Sequence, residues 1–179
     1  ENIKYKSVVA GNVNAEWITC GEVNKNRIFM FMHGGGYYRG SIAATRATVA
    51  RISAEAKVKC LSINYRLAPE HPFPAAIDDT YSAYEWLINE GISPEQIIVS
   101  GQSAGGGLCL ALLLKIKENN IPQPLGAVAL SPWTDLSQTG NTMLSNEKID
   151  PIISKQYLDR FANLYFPHSY NMSYLASPI

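Results

Sequence analysis

The chain has 179 residues, of which 46% are hydrophobic and 17% are charged, so it can bury one packed core. Fifteen basic and fifteen acidic residues cancel and no run of lysine or arginine occurs, which argues against a nucleic-acid partner or an acidic membrane surface. The longest apolar stretch, residues 108–114, is too short to span a bilayer, so no transmembrane segment is predicted.

Strands and helices are predicted to alternate along the chain, from apolar runs and from apolar residues at helical spacing. The predicted strands are 8–9, 16–20, 27–32, 59–65, 96–99 and 126–130, and the predicted helices are 44–57, 76–89, 104–118 and 154–165. This alternation indicates an α/β fold with a mostly parallel sheet and helices on both faces. No further strand is predicted after residue 130. Residues 1–179 are therefore interpreted as one domain whose C-terminal strands are missing.

The cysteines and the chain ends bear on compartment and completeness. Cys20, Cys60 and Cys109 lack CxxC or metal-like spacing, so we expect reduced core thiols and no metal site. This usage is typical of a reducing compartment such as the cytoplasm. Glu1 opens the chain without a basic or apolar leader, and we interpret both ends as cuts.

Residues 101–105, Gly-Gln-Ser-Ala-Gly, fit the pattern G-x-S-x-G between a predicted strand and a predicted helix. Small flanking residues let the backbone turn sharply and hold the hydroxyl of Ser103 clear of the sheet, as a nucleophile requires. The start of the following helix directs N–H groups toward a developing oxyanion. The alternative is a glycine-rich turn before a buried helix, as in many nucleotide-binding proteins.

Residues 33–36, His-Gly-Gly-Gly, come straight after the predicted strand 27–32. Consecutive glycines let backbone N–H groups face a cavity without side chains in the way. HGGG upstream of G-x-S-x-G is the oxyanion-loop pattern of lipases and esterases. His33 precedes the serine, whereas the general base of this arrangement follows it, so we expect His33 to order the loop.

Residues 65–76, YRLAPEHPFPAA, contain three prolines within six residues and predict a rigid extended connection. Arg66 and Glu70 are candidates for an ion pair there. We interpret His71 as structural.

Four motifs together resemble the hormone-sensitive-lipase-like esterases, a family with the α/β-hydrolase fold. They are HGGG at 33–36, YRLAPEHPFPAA at 65–76, GQSAGGG at 101–107 and SPWTDL at 131–136. The likeness runs from about residue 27 to the last residue, with the motifs in the same order. It implies a serine carboxylester hydrolase that acts on small-molecule short-acyl esters without a cofactor.

The resemblance also implies roles for individual residues. Ser103 is the nucleophile, and the backbone N–H groups of Gly35, Gly36 and Ala104 form the oxyanion hole. The family usually has Asp before the serine, where this chain has Gln102. We expect this change to alter how the turn is braced and to leave the chemistry in place.

The catalytic acid and base are harder to place. In this architecture the triad runs Ser, then Asp or Glu, then His along the chain. Asp135 and His168 are the available pair after Ser103, but His168 follows a helix, whereas the family's base follows the last strand. We therefore expect the acid and the histidine beyond residue 179.

The chain is accordingly interpreted as a fragment of a larger esterase that also lacks the family's N-terminal cap. A C-terminal fragment of the same enzyme is a candidate partner, and the isolated chain is expected to be nearly inactive. Tyr37, Tyr38, Phe161 and Leu164 are candidates for lining the acyl pocket, with ordinary core packing as the alternative. A non-catalytic, hydrolase-like protein that binds a small ligand is the competing function.

Overall fold

Six strands form one mixed sheet. The computed structural model describes residues 2–167 and 173–179, and the strands within them are β1 (Ile3–Ala10), β2 (Val13–Cys20), β3 (Asn24–Met32), β4 (Val58–Ile63), β5 (Ile97–Gln102) and β6 (Gly126–Leu130). Their order across the sheet is β1-β2-β4-β3-β5-β6. β1 and β2 form an antiparallel hairpin, β2 is antiparallel to β4, and the other pairs are parallel. The prediction of a mostly parallel sheet is confirmed.

Helices cover both faces of this sheet. They are α1 (Ile42–Ala56), α2 (Ala75–Asn89), α3 (Ala104–Glu118), α4 (Thr142–Ser145) and α5 (Lys155–Tyr165), with a 3₁₀ turn at Pro94–Gln96. On one face, Val49 and Ala50 of α1 pack with Phe29, Phe31 and Cys60 of the sheet. On the other face, α2 and α3 bury a larger apolar core. Apolar side chains on both sides explain why the central strands are near-continuously hydrophobic.

The pairing of β3 with β5 positions the two glycine-rich segments. The strands are adjacent and parallel, with Met32 opposite Gly101 near their carboxyl ends. The chain that leaves β3 is the HGGG segment, and the chain that leaves β5 is the G-x-S-x-G turn. Both therefore emerge side by side at one edge of the sheet, where ligands of open α/β sheets bind.

The predicted elements are found, with differences at their bounds. β1 begins at Ile3, five residues before the predicted strand; residues 3–6 alternate apolar and charged side chains, but both kinds are exposed at the edge of the sheet. Strand β5 continues to Gln102 through residues interpreted as turn. The single turn of α4 is too short to show helical periodicity. No helix of the described residues has the length and hydropathy needed to cross a membrane.

Candidate active site

Ser103 occupies a tight corner between β5 and α3. It is the single residue between Gln102, the last of the strand, and Ala104, the first of the helix. Its φ of 53° and ψ of −118° lie in a region that costs a non-glycine residue about 1–3 kcal/mol. The surrounding structure must therefore impose this backbone conformation on the serine.

Main-chain hydrogen bonds impose it. The N–H of Ser103 donates to the carbonyl of Leu130 at 2.9 Å, at the end of β6. The carbonyl of Ser103 accepts from the N–H of Trp133 at 2.9 Å and from the N–H of Gly107 at 3.0 Å. The exposed side chain of Gln102 forms no hydrogen bond with any other described residue. The corner is thus braced by backbone, without help from the position where the family usually has Asp.

Close backbone approach explains the glycines around the serine. A Cβ on Gly101 would lie 2.0 Å from the carbonyl oxygen of Gly105. A Cβ on Gly105 would lie 2.2 Å from the carbonyl oxygen of Met32 and 2.5 Å from that of His33. No side chain fits at these distances, so the spacing G-x-S-x-G follows from the packing of the start of α3 against the end of β3.

The oxyanion loop, which we define as residues 33–36, lies against the serine. A Cβ on Gly34 would be 3.3 Å from the Cβ of Ser103. The backbone N–H groups of Gly35, Gly36 and Ala104 donate to no other residue within 2–167 and 173–179. Ala104 also begins a 15-residue helix, whose dipole favours negative charge at this end. Ala104 thus follows Ser103 directly, and Gly35 and Gly36 follow the glycine that contacts it, with all three N–H groups unpaired among the described residues.

His33 is a buried part of this loop. It is 1% exposed, its ring stacks on Tyr65 at 4.3 Å, and its Nδ1 lies 2.8 Å from the carbonyl of Gly34. Burial lowers the pKa of His33 below the ordinary 6.5, although the hydrogen bond to Gly34 opposes the shift. The hydroxyl of Tyr65 donates to the His33 carbonyl at 2.7 Å. These contacts fit the expectation that His33 orders the loop.

The proline-rich segment 65–76 is hydrogen-bonded to the oxyanion loop and to the residue that follows it. Besides the Tyr65 hydroxyl, the N–H of Ala68 donates to the carbonyl of Tyr37 at 2.9 Å, just after the loop. The predicted pair between Arg66 and Glu70 is wrong. Arg66 instead forms a bidentate ion pair with buried Asp79 of α2, at 2.7–3.0 Å, while Glu70 is exposed.

The segment that follows β6, residues 131–136 (SPWTDL), packs against the corner at Ser103 and stabilises it. Pro132 packs against Gly106, where a Cβ would be 2.9 Å from the proline Cα. The indole N–H of Trp133 donates to the carbonyl of Asp135 at 3.1 Å. The motif braces Ser103 through a contact across 30 residues, a role that its sequence does not reveal.

The carboxylate of Asp135 accepts hydrogen bonds from residues of its own turn. It accepts from the N–H of Ser137 at 2.9 Å and from the hydroxyl of Thr139 at 2.6 Å. Desolvation would raise the pKa of Asp135, but hydrogen bonds from Thr139, Ser137 and Gln138 outweigh it and lower the pKa below 3.8. His168, the other half of the weighed triad, lies outside the described residues.

No histidine is in place as a base within the described part of the chain. His71 is exposed on the connection before α2, and His33 is bonded to Gly34. The hydroxyl of Ser103 forms no hydrogen bond with any residue of 2–167 or 173–179. These residues also contain no group of three potential ligands that could hold a metal ion.

The four pocket candidates separate into two groups. Tyr37 is 1% exposed and stacks on Tyr165 at 3.8 Å, so it is a core residue. Leu164 is half-buried against the same core. Tyr38 and Phe161 are half-buried, and their rings stack on each other at 4.3 Å. A Cβ on Gly36 would lie 3.0 Å from the ring of Phe161. The side chains of Tyr38 and Phe161 are thus in reach of Gly36, a predicted oxyanion donor.

Comparison with known proteins agrees with this geometry. Residues 29–179 match the family model described as alpha/beta hydrolase fold. The crystal structure of an esterase from the bacterial hormone-sensitive lipase family superposes with a TM-score of 0.97 and 38% identity, over 99% of this chain and 60% of that one. The chain belongs to the hormone-sensitive-lipase-like family of the α/β-hydrolase fold.

Curated relatives of this family carry hydrolase names. An esterase of Acinetobacter venetianus is 34% identical over 156 residues, which are 87% of this chain and 51% of the relative. An acetyl-hydrolase of Streptomyces hygroscopicus is 33% identical over 171 residues, 96% of this chain and 57% of the relative. The chain thus spans little more than half the length of these relatives.

Proposed function

We propose that this chain is the nucleophile-bearing part of a serine carboxylesterase that hydrolyses short-acyl esters through an acyl-enzyme on Ser103. The observation that carries the proposal is a strained serine beside three unpaired backbone donors, those of Gly35, Gly36 and Ala104. Serine nucleophiles and preorganised oxyanion donors together define acyl-transfer chemistry. The short acyl group is supported by the family and by the acetyl-hydrolase name of one relative.

The reaction proceeds in two halves. A histidine takes the proton of Ser103 as its oxygen attacks the ester carbonyl, and the three amides stabilise the tetrahedral oxyanion. The intermediate collapses when the C–O bond to the alcohol breaks and the histidine returns the proton to the leaving alkoxide. Water then attacks the acyl-enzyme with the same histidine as base, which releases the acid and restores Ser103.

We place the histidine and its carboxylate partner beyond residue 179. The proposal is supported by the occupied side chains of His33 and Asp135 and by the order Ser, acid, His of this architecture. Residues 1–179 are then one α/β-hydrolase domain that needs further C-terminal strands and an N-terminal cap. Without the histidine, Ser103 is an ordinary alcohol, so the 179-residue chain alone is nearly inactive.

Tyr38 and Phe161 are proposed to border the acyl group. Their stacked rings adjoin Gly36, so an acyl chain on Ser103 with its oxyanion on the loop would extend past them. Aromatic walls close to the donors favour a short acyl group.

The test uses a fluorophosphonate, which labels only activated serines, with intact mass as the readout. The full-length enzyme should gain one label and hydrolyse p-nitrophenyl acetate, and Ser103→Ala should abolish both. Ser137→Ala, which changes an exposed serine, is the matched control and should leave both unchanged.

Two results would contradict the proposal. If the full-length enzyme is neither labelled nor active, the chain belongs to a ligand-binding protein. If the 179-residue chain is labelled by itself, its base lies within it, and His168 becomes the candidate.

A further inference from the structure

A groove lined by lysines lies near the amino ends of β3 and β4, whereas Ser103 lies beyond the carboxyl end of β5. Lys4 of β1, Lys25 of β3 and Lys59 of β4 line it together with Thr19 and Glu22, and its volume is about 690 Å³. Lys4 stands directly opposite Thr19 across the β1–β2 hairpin. We call this feature the lysine groove. It belongs to no part of the proposed esterase mechanism.

The ammonium groups of the lysine groove have no carboxylate that neutralises them within the described residues. The four ion pairs found in 2–167 and 173–179 involve none of Lys4, Lys6, Lys25 or Lys59. Glu22 lines the groove but pairs with none of them. Three lysines against one glutamate leave the lining positive, and Lys6 adds charge on the same face of the hairpin.

Lys59, one of the groove's lysines, is held by an aromatic side chain. Its Nζ lies 3.5 Å from the ring centroid of Trp17, a cation–π contact that restricts the side chain. Burial lowers the pKa of Lys59, and the nearby charges of Lys6 and Lys25 lower it further. Because Lys4, Lys25 and Lys59 line one groove, an anion bound between them would offset the repulsion of their ammonium groups.

The groove is distant from the serine. Lys59 is opposite Ile28 in β3, and Ile28 is opposite Ile97 at the start of β5. Six residues of extended chain separate Ile97 from Ser103, which corresponds to about 20 Å. A ligand in the groove would therefore leave the substrate path open.

We propose that the lysine groove binds a phosphate group, carried either by a small soluble molecule or by a lipid headgroup. Lysine is a common point-charge ligand of phosphate. Several ammonium groups around one cavity match a multiply charged anion, whereas a single carboxylate would leave most of their repulsion in place. The hydroxyl of Thr19 adds a neutral donor at the rim.

The test is calorimetric titration of the full-length enzyme with inorganic pyrophosphate at low ionic strength. The double variant Lys4→Gln/Lys25→Gln should bind at least about tenfold more weakly, because each lost charge contributes several-fold even at the dielectric constant of water. Lys117→Gln, an exposed lysine in the last turn of α3, is the matched control and should bind like the wild type. Hydrolysis of p-nitrophenyl acetate should be unchanged in both variants, which separates this test from that of the esterase.

A second arm distinguishes the source of the phosphate. Sedimentation with vesicles of phosphatidic acid in phosphatidylcholine is compared with phosphatidylcholine alone. Binding of pyrophosphate that the double variant loses indicates a soluble ligand. Binding of phosphatidic-acid vesicles without binding of pyrophosphate, again lost in the double variant, indicates a lipid headgroup. The proposal is refuted if neither probe binds, or if Lys117→Gln weakens binding as much as the double variant.

Discussion

Tyr65→Phe isolates the hydrogen bond that holds the oxyanion loop. The Tyr65 hydroxyl donates to the His33 carbonyl at 2.7 Å, and the two residues are 2% and 1% exposed. Removing the hydroxyl leaves a buried carbonyl oxygen without this donor, which costs about 1–3 kcal/mol in free energy of unfolding. The aromatic ring remains, so the stacking on His33 is preserved.

Tyr84→Phe is a matched control for the stability effect. The Tyr84 hydroxyl donates to the carbonyl of Pro122 at 2.8 Å, and the side chain is fully buried in α2, away from the oxyanion loop. Burial raises the pKa of both phenols, of Tyr84 to about 12, so both hydroxyls are neutral donors at pH 7. The two variants should lose similar stability in urea unfolding of the full-length enzyme.

The activity of the two variants should differ. Loss of a whole oxyanion donor costs about 10²–10³ in rate, and a loosened loop should forfeit part of this, about tenfold in kcat/KM for p-nitrophenyl acetate. Only Tyr65→Phe should show this decrease. Equal kcat/KM in Tyr65→Phe, Tyr84→Phe and the wild type would refute the idea that this hydrogen bond positions the donors.

Three further substitutions test the corner and its supports. Gly105→Ala should abolish activity and lower stability, because its Cβ would clash with the carbonyl oxygens that end β3; Gly126→Ala, with no atom within 4 Å, should be silent in both assays. Asp79→Asn should cost about 1.5–3 kcal/mol in urea unfolding, because it weakens the charged hydrogen bonds between buried Asp79 and solvent-exposed Arg66, whereas Asp159→Asn on the surface should cost under about 1 kcal/mol. Asp135→Asn should destabilise the protein near neutral pH, and the difference from wild type should vanish as the pH falls below 3.8 through the lowered pKa of the native carboxyl. A difference that persists at about pH 2 would contradict that assignment.

The elements of the core could be predicted from the sequence because their signals are local. The bounds of α3 and β6 agree with prediction to the residue, since each is an apolar run set off by polar or glycine-rich flanks. β1 was predicted only at its end, because the alternating residues 3–6 are too few by themselves to identify a strand whose side chains stay exposed. The α4 turn carries too few residues for any period to show.

The candidate site was predictable where a motif encodes backbone geometry. Ser103 and the loop glycines stand out because tight turns and close approaches exclude other residues. Side-chain partners depend on the tertiary fold, so Arg66 was assigned to a neighbour four residues away when its partner is Asp79. For Tyr37 the sequence left open both pocket lining and core packing, and the fold, which buries its ring against Tyr165, favours core packing.

The lysine groove shows why whole-chain charge is a poor guide to surface charge. Equal numbers of acidic and basic residues argued against a nucleic-acid partner or an acidic membrane surface, and no run of lysine or arginine occurs along the chain. Lys4, Lys25 and Lys59 are far apart in sequence, and only the order β1-β2-β4-β3 brings them to one cavity.

The main-chain bracing of Ser103 links the corner to β6, the edge strand of the described sheet. The amide protons of Ser103, Gly107 and Trp133 all take part in hydrogen bonds that join β5, α3 and the segment after β6. Such amides exchange with solvent only through openings that disrupt the elements they join. Hydrogen exchange at Ser103 and Trp133 therefore reports how often β6 and the segment after it separate from the corner, and such an opening releases the serine from two of its three braces.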